Sequence, residues 1–498
     1  MENKNIRYLY GASIQGIQDF IFQTNKLKEI VGASELVEQI CSNTFDQFAK
    51  SGESVVRAAG NIKHIFDSRE DCEQAVMRFP KEVMTMAPGI TISQAVVTIN
   101  ADLSDYADKA DELEKRLRIQ RNKPVRSVTL GLTAIYRSPS TGLPAVKIKD
   151  NETIDEASEK KIQQHQATRK LVEKSFGKKL SHDEIAYDIE DITGKNDWIA
   201  VIHADGNGMG AIFREIGKDK DKMKVFSKQV SQITETAAQK AFQTVEEIYK
   251  LEKDKGKIPV RPVVLGGDDL TLVCRADMAI DYTQTFLDAF EKESKEQLKT
   301  LDTGNSKLAN RLTACAGIAF VKSSYPFHYA VELAEKLCQR AKKAAKKIDA
   351  DLPPSCLMFH KVQDSFVEDF DEIVKRELTP QPNLTFECGP YYCGKHAKNK
   401  NCTNTIKELL DNIEQLKGKE GNAIKSHIRQ WLSLLFDNVD AANQKMKRLR
   451  TVNEKACEII DAKYETLNLS VEGAIPYYDI LSLASIMYVK TKSKEEKK

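Results

Sequence analysis

The stretch Arg261-Pro-Val-Val-Leu-Gly-Gly-Asp-Asp-Leu-Thr-Leu-Val-Cys-Arg-Ala276 constrains the fold more than any other segment. Two apolar β-type runs flank Gly266-Gly267-Asp268-Asp269, which predicts a strand, a tight turn and a strand. Two glycines permit a sharp turn and a close approach of backbone to a ligand. Two adjacent acids then project from the tip of an apolar hairpin, where mutual repulsion is costly unless a cation is present. Taken alone, a Gly-Gly-Asp-Asp turn serves equally well as an ordinary surface hairpin. Its setting decides for chemistry. The buried-type strand Trp198–His203 runs into Ala204-Asp205-Gly206-Asn207-Gly208 and supplies a third acid. If that strand neighbours the hairpin, Asp205, Asp268 and Asp269 form one carboxylate cluster. Such a cluster suits Mg²⁺ (or Mn²⁺) shared with the phosphates of a nucleoside triphosphate.

The surrounding order of elements is read twice. Across residues 1–150 a strand (Ile6–Ser13) leads into helices, with Gly32 expected to separate two of them. A hairpin around Ala59-Gly60-Asn61, a helix (Glu70–Met84) and a strand (Ile90–Ile99) follow. Across residues 196–350 come a strand, two helices, the acidic hairpin, a helix (Met278–Leu298), a strand (Leu312–Val321) and a helix (Tyr329–Ile348). This is the ferredoxin-like order of palm domains, and its recurrence predicts an internal duplication. Residues 151–195 are polar and charged, and read as a helical connector. Residues 351–498 turn mainly helical beyond Thr403, predicting a small bundle and a disordered tail, KTKSKEEKK. The fold class expected is α+β: two palm units and a C-terminal helical bundle. A length of 498 residues accommodates roughly three domains.

Charge narrows the partners. Lys+Arg total 75 and Asp+Glu 73, a formal net charge of +2, which excludes a protein that coats nucleic acid by bulk charge. No apolar run is long enough to span a membrane, and the N-terminus lacks a signal-peptide pattern. Ten scattered cysteines in a chain of this size need no disulfide framework, so a cytoplasmic location is expected.

Several segments together resemble a known family. GIQDFIF (16–22), KLKEIVGASEL (26–36), ADGNGMG (204–210), LGGDDL (265–270) and AGIAFVKSSYPF (316–327), followed by AVELAEKLCQRAKKAAK (330–346), are similar to the large polymerase/cyclase subunit of type III CRISPR effector complexes, nearest the Cmr-type branch. The resemblance spans about residues 8–350. It implies ATP as substrate, 3′–5′ linked cyclic oligoadenylate as product, and activation by target RNA. The implied partners are the other effector subunits and guide RNA. It implies Asp205, Asp268 and Asp269 as metal ligands, with Gly206, Gly266 and Gly267 lining the nucleotide. Two departures matter. No His cluster surrounds the lone His182-Asp183, so HD-type DNA cleavage is not expected. The first unit carries no acid in its hairpin (RAAGN, 57–61) or first strand end (GAS, 11–13), so it should be catalytically inert and serve as a pocket wall. A related AMP conjugate as product, a standalone antiviral cyclase and a non-catalytic scaffold subunit remain open alternatives.

Two weaker signals complete the reading. The helix over 330–348 carries a basic side on which Arg340 or Lys342 is the candidate to reach the triphosphate, against the simpler view of a solvated face. Cys388, Cys393, His396 and Cys402 could hold a structural Zn²⁺, but C-x₄-C-x₂-H-x₅-C is no recognised finger, and ordinary thiols are the plainer reading. His203 reads as a packed strand residue.

Overall fold

The computed structural model describes residues 6–58, 60–123, 134–149, 151–167, 170–193, 197–250, 256–300, 311–363, 369–394, 404–461, 464, 467 and 473–487. The expected charged tail lies outside them.

The first unit runs β1 (Ile6–Gln15), α1 (Ile17–Ile21), α2 (Leu27–Gln39), β2 (Glu53–Ala58), β3 (Asn61–Phe66), α3 (Arg69–Met86), β4 (Thr91–Asn100) and α4 (Tyr106–Arg121). Its sheet has the order β2-β3-β1-β4. The hairpin β5 (Ala145–Lys149) and β6 (Glu152–Asp155) leads into α5 (Glu156–Ala167) and α6 (Lys170–Phe176). The second unit repeats the plan: β7 (Trp198–Gly206), α7 (Met209–Ile216), α8 (Lys220–Lys250), β8 (Val260–Gly266), β9 (Asp269–Arg275), α9 (Ala279–Gln297), β10 (Ala314–Lys322) and α10 (Phe327–Ile348). Its sheet reads β13-β11-β10-β7-β9-β8. Within it β8, β9, β7 and β10 stand in the same spatial order as the four strands of the first unit. The duplication expected from element order is therefore a duplication of topology.

Beyond α10 lie β11 (Cys356–Lys361), α11 (Phe370–Glu377), β12 (Leu384–Thr385), β13 (Tyr391–Tyr392), α12 (Ile406–Lys417), α13 (Lys419–Asp437), α14 (Val439–Val452), β14 (Gly473–Ala474) and α15 (Tyr477–Ala484). Trp431 is fully buried in this helical part, as the apolar stripes on α12 and α13 require. Thr405 caps α12 in a capping box with Glu408. Among the described residues no helix is long and apolar enough to cross a membrane.

One local expectation is corrected. Gly32 does not break a helix; α2 runs through it from Leu27 to Gln39. A Cβ at Gly32 would fall 1.8 Å from the Lys161 carbonyl oxygen, so the glycine lets α5 cross α2 at close range. The helix tolerates the roughly 1 kcal/mol propensity cost of glycine because that crossing buries its flank. The helix α4 is a further addition; its sparse apolar face, Tyr106, Ala110, Leu113 and Leu117, packs on β1 and β4.

Candidate active site

Strand register brings the three acids together. β7 pairs antiparallel with β9, ending at Ala204 opposite Leu270. One residue on, Asp205 therefore reaches the level of Asp269. β8 and β9 pair through Gly266 and Asp269, leaving Gly267-Asp268 as a two-residue turn. Gly267 has φ +63°, the left-handed value a primed hairpin turn demands at its first central position. The buried Thr234 hydroxyl of α8 donates to the Gly267 carbonyl at 2.7 Å and pins the turn to the helix. A Cβ at Gly206 would sit 2.9 Å from Asp268 Oδ2, so glycine there lets the two tips approach.

The electrostatics are those of acids crowded without enough positive charge. Burial first, then the charge of Asp205 and a hydrogen bond shared with it, pushes the Asp268 carboxyl up to about 8. Asp269 is pushed up to about 7, again by burial and then by Asp205, with Lys342 offsetting part of the rise. Asp269 Oδ1 is buried without a hydrogen-bond partner. Lys342 of α10 forms an ion pair with Asp205 Oδ2 and donates to the Gly206 carbonyl at 2.8 Å. Burial alone would lower the Lys342 ammonium; the Asp205 carboxylate lifts it above its ordinary value.

His203, packed in β7, places Nδ1 3.0 Å from Thr271 Oγ1 and 3.5 Å from Asp269 Oδ1. Burial lowers its pKa, which keeps it neutral, as a packed strand residue. Glu335 of α10, two turns before Lys342 and on the same side, is raised by burial and accepts a 2.5 Å hydrogen bond from Gln18 Nε2 of α1. The Gln18–Glu335 bond ties the first unit to the second beside the acids. Sequence reasoning passed over Glu335 and Thr234; the seven-residue spacing of Glu335 from Lys342 is the signal that could have found the former.

Arg340 is elsewhere. Two residues from Lys342, it is turned about 200° around the helix. Its guanidinium pairs with Asp371 and with Glu387 at 2.7 Å, and lies over the Phe370 ring. The structure brings Lys342 to the acids and not Arg340. Cys388 and Cys393 are buried, and Cys393 Sγ donates to the Ser355 carbonyl. His396 and Cys402 lie outside the described residues.

The same register exposes what the first unit lost. There Ala58 pairs with Asn61, as Gly266 pairs with Asp269, and Ser13 pairs with Asn61. Ser13 and Asn61 thus stand where Asp205 and Asp269 stand. Ser13 Oγ donates to Asn61 Oδ1 at 3.1 Å, and Arg121 of α4 donates to Ser13 Oγ at 3.0 Å. An uncharged pair with one arginine replaces the acids with their lysine.

A cavity of about 360 Å³ lies between the units. Ile14, Ile17, Ile21 and Phe22 line it from the first unit, and Val264, Gly266 and Asp269 from the second. Among the described residues no group of three or more His, Cys, Asp and Glu side chains is arranged as a preformed metal site. The donors nevertheless fit a hard divalent cation: they are all carboxylate oxygens, one is an orphaned buried atom, and burial beside the Asp205 charge raises the Asp268 carboxyl, a cost a cation would relieve.

Comparison with known proteins bears on the fold. Residues 198–350 match the family described as Cas10/Cmr2, second palm domain. This segment is similar to a Cas10/Cmr2 palm. A Csm1–Csm4 cassette in complex with cA4 resembles the chain with a TM-score of 0.52 at 11% identity, over 97% of this chain and 69% of that one. A Csm1–Csm4 cassette in complex with pppApApA gives the same values. Csm1 of T. onnurineus aligns with a TM-score of 0.50 at 12% identity, over 97% and 70%. No curated protein sequence matches the chain. The family resemblance read from the motifs holds. Its Cmr-type assignment does not follow from these matches, which name Cas10/Cmr2 for the palm and Csm1 for the whole fold. The matched stretch spans β7 to α10 and so contains Asp205, the acidic turn and Lys342.

Proposed function

We propose that the chain is a nucleotidyltransferase that joins ATP units through 3′–5′ links to make a cyclic oligoadenylate or a related AMP conjugate in type III CRISPR defence. The observation that carries this reading is the convergence of Asp205, Asp268 and Asp269 from two strand ends, with Asp269 lining the cavity between the units. In the reaction a 3′-hydroxyl attacks the α-phosphorus of ATP. The new P–O bond forms as the bond to pyrophosphate breaks, and the hydroxyl proton passes to solvent. Asp205, Asp268 and Asp269 would hold Mg²⁺ or Mn²⁺, which supplies positive charge for the phosphates. Lys342 is placed to pass from Asp205 to the triphosphate, where a cation counters the charge gathered in displacement. The Gly266-Gly267 backbone admits the nucleotide closely, and the apolar wall of Ile17, Ile21 and Phe22 suits a base and excludes water.

The Csm1–Csm4 relatives support other effector subunits as partners, and activation by target RNA with a guide RNA is part of the same reading. The near-neutral chain leaves most RNA contact to those subunits. One observation favours the scaffold alternative: Asp205 is engaged by Lys342. The two readings part on one experiment, incubation of the chain or its complex with labelled ATP and Mg²⁺ or Mn²⁺. Turnover lost in Asp268→Ala/Asp269→Ala supports the enzyme; turnover unchanged in that variant rejects it.

A further inference from the structure

The sheets of the two units differ at one edge. In the second unit β11 lies parallel to β10, with Cys315 opposite Cys356 and Phe320 opposite Lys361. In the first unit β4 holds the place of β10, and among the described residues no strand pairs with its outer edge. Register carries the comparison to single residues. Cys315 stands opposite Asp205, and Ser93 opposite Ser13, so residues 93–98 of β4 answer to the stretch of β10 that β11 covers. A cleft of about 600 Å³ runs along this edge, lined by residues 91–96 of β4, by Val76 of α3 and by Arg116, Ile119 and Lys123 of α4.

An unpaired edge presents the backbone groups of alternate residues outward. On β4 these are the even-numbered residues, because Arg116 Nη1 donates to the Val96 carbonyl at 2.7 Å and the Asn100 N–H donates to Asp105 Oδ1 at 2.9 Å. Asp105 thus closes the far end, and the Arg116 guanidinium, also held by Glu112 at 2.6 Å, covers one carbonyl. By the same alternation the N–H groups of Gln94 and Val96 face the cleft. The two sides of the edge differ in chemistry. Gln94 Nε2 donates to the Val76 carbonyl at 2.7 Å, so the even side chains turn toward α3, where Ile92, Val96 and Val76 are half-buried and apolar. On the other side, Arg116 and the exposed Lys123 stand seven residues apart on one face of α4. They are the charged side chains of the lining, and both are cationic.

We propose that this edge takes up an extended acidic segment of a partner protein as a further strand, parallel to β4 as β11 is parallel to β10. The segment's backbone accepts from the N–H groups of Gln94 and Val96. Its apolar side chains lie over Ile92, Val96 and Val76, and its alternate carboxylates meet Arg116 and Lys123. As the strand enters, Arg116 exchanges the Val96 carbonyl for a carboxylate, and that carbonyl passes to the backbone of the new strand. None of the three acids takes part, so the surface stands apart from the nucleotidyltransferase reading.

The test is fluorescence anisotropy of the full chain with a short labelled peptide of alternating Glu and Val, beside a Lys/Val peptide of the same length. The Glu/Val peptide should bind more tightly by about tenfold or more. Arg116→Glu/Lys123→Glu should reverse that preference at an unchanged melting temperature. Val96→Pro removes an outward N–H while sparing the ladder to β1, and should weaken the Glu/Val peptide by about tenfold or more. If that variant does not fold, the charge reversal decides. Bound peptide should also slow amide hydrogen exchange across residues 92–98. Equal affinity for the two peptides, a preference unmoved by charge reversal, or binding without that protection would each overturn the proposal. Binding seen only after residues 124–133 are replaced by a Gly-Ser linker would overturn it in favour of this chain's own segment. Concentration-dependent dimerisation abolished by Val96→Pro would overturn it in favour of a second copy.

Discussion

Lys342 and Asp205, 137 residues apart in the chain, form an ion pair at the mouth of the acid cluster. The lysine belongs to α10 and the acid to the end of β7, so the pair closes the second unit's own helix onto the strand that carries Asp205. The ammonium sits where an external cation would compete for the same oxygens, and a triphosphate would compete with those oxygens for the ammonium.

Replacing Lys342 therefore has two effects of opposite sign. Lys342→Met should raise the affinity of the nucleotide-free chain for Mn²⁺, by roughly tenfold, because an internal competitor is removed. It should lower ATP turnover at least as much, because the cation facing the phosphates is gone. Mn²⁺ titration followed by electron paramagnetic resonance, beside a labelled-ATP assay, reads both. A fall in both quantities would contradict the competition.

Asp269 should trade stability for activity. Its buried Oδ1 lacks a partner and its carboxyl repels Asp205. Asp269→Asn should stabilise the metal-free chain by about 1–2 kcal/mol, since it removes a buried carboxylate charge repelled by Asp205. Turnover should fall more than a hundredfold. Urea unfolding in a chelator, with the ATP assay, measures the two.

Gly32 should admit no side chain. A Cβ 1.8 Å from the Lys161 carbonyl forces α2 and α5 apart, although alanine has the better helix propensity. Gly32→Ala should destabilise by about 2 kcal/mol or more, the range of overpacked interfaces. A neutral or stabilising result in urea unfolding would show that the helices separate freely.

Asp479 gives a pH signature remote from the acids. Burial pushes its carboxyl up to about 7, and Tyr391 donates to its Oδ2 at 2.6 Å, tying β13 to α15. Because the folded pKa lies above the unfolded one, the fold holds the proton longer than the unfolded chain. This group's contribution is complete below about pH 4 and declines as pH rises to about 7. Asp479→Asn keeps an oxygen for Tyr391 and should remove that decline. Melting temperatures of the two proteins should diverge between pH 4 and 7 and run parallel above.

The acidic turn, the strand before it and the repeated element order were legible from local patterns. Alternating or continuous apolar runs report strands, and glycines report turns, without knowledge of their neighbours. The family motifs added the expectation that Asp205, Asp268 and Asp269 are metal ligands. Gly32 misled because a glycine that breaks a helix and one that admits a crossing helix are identical in sequence; only α5 distinguishes them. Arg340 and Lys342 looked interchangeable on a basic helix, and the phase of α10 against β7 separated them.

The sequence by itself determined the elements, their duplicated order and the identity of the three acids, because these depend on residue type and short-range spacing. The tertiary structure alone decided that Ser13 and Asn61 stand in the first unit where Asp205 and Asp269 stand in the second, that Lys342 and not Arg340 meets the acids, and that the outer edge of β4 has no strand among the described residues where β11 covers β10. Those relationships rest on strand register, helix phase and sheet order, which join residues too far apart in the chain for any local pattern to record.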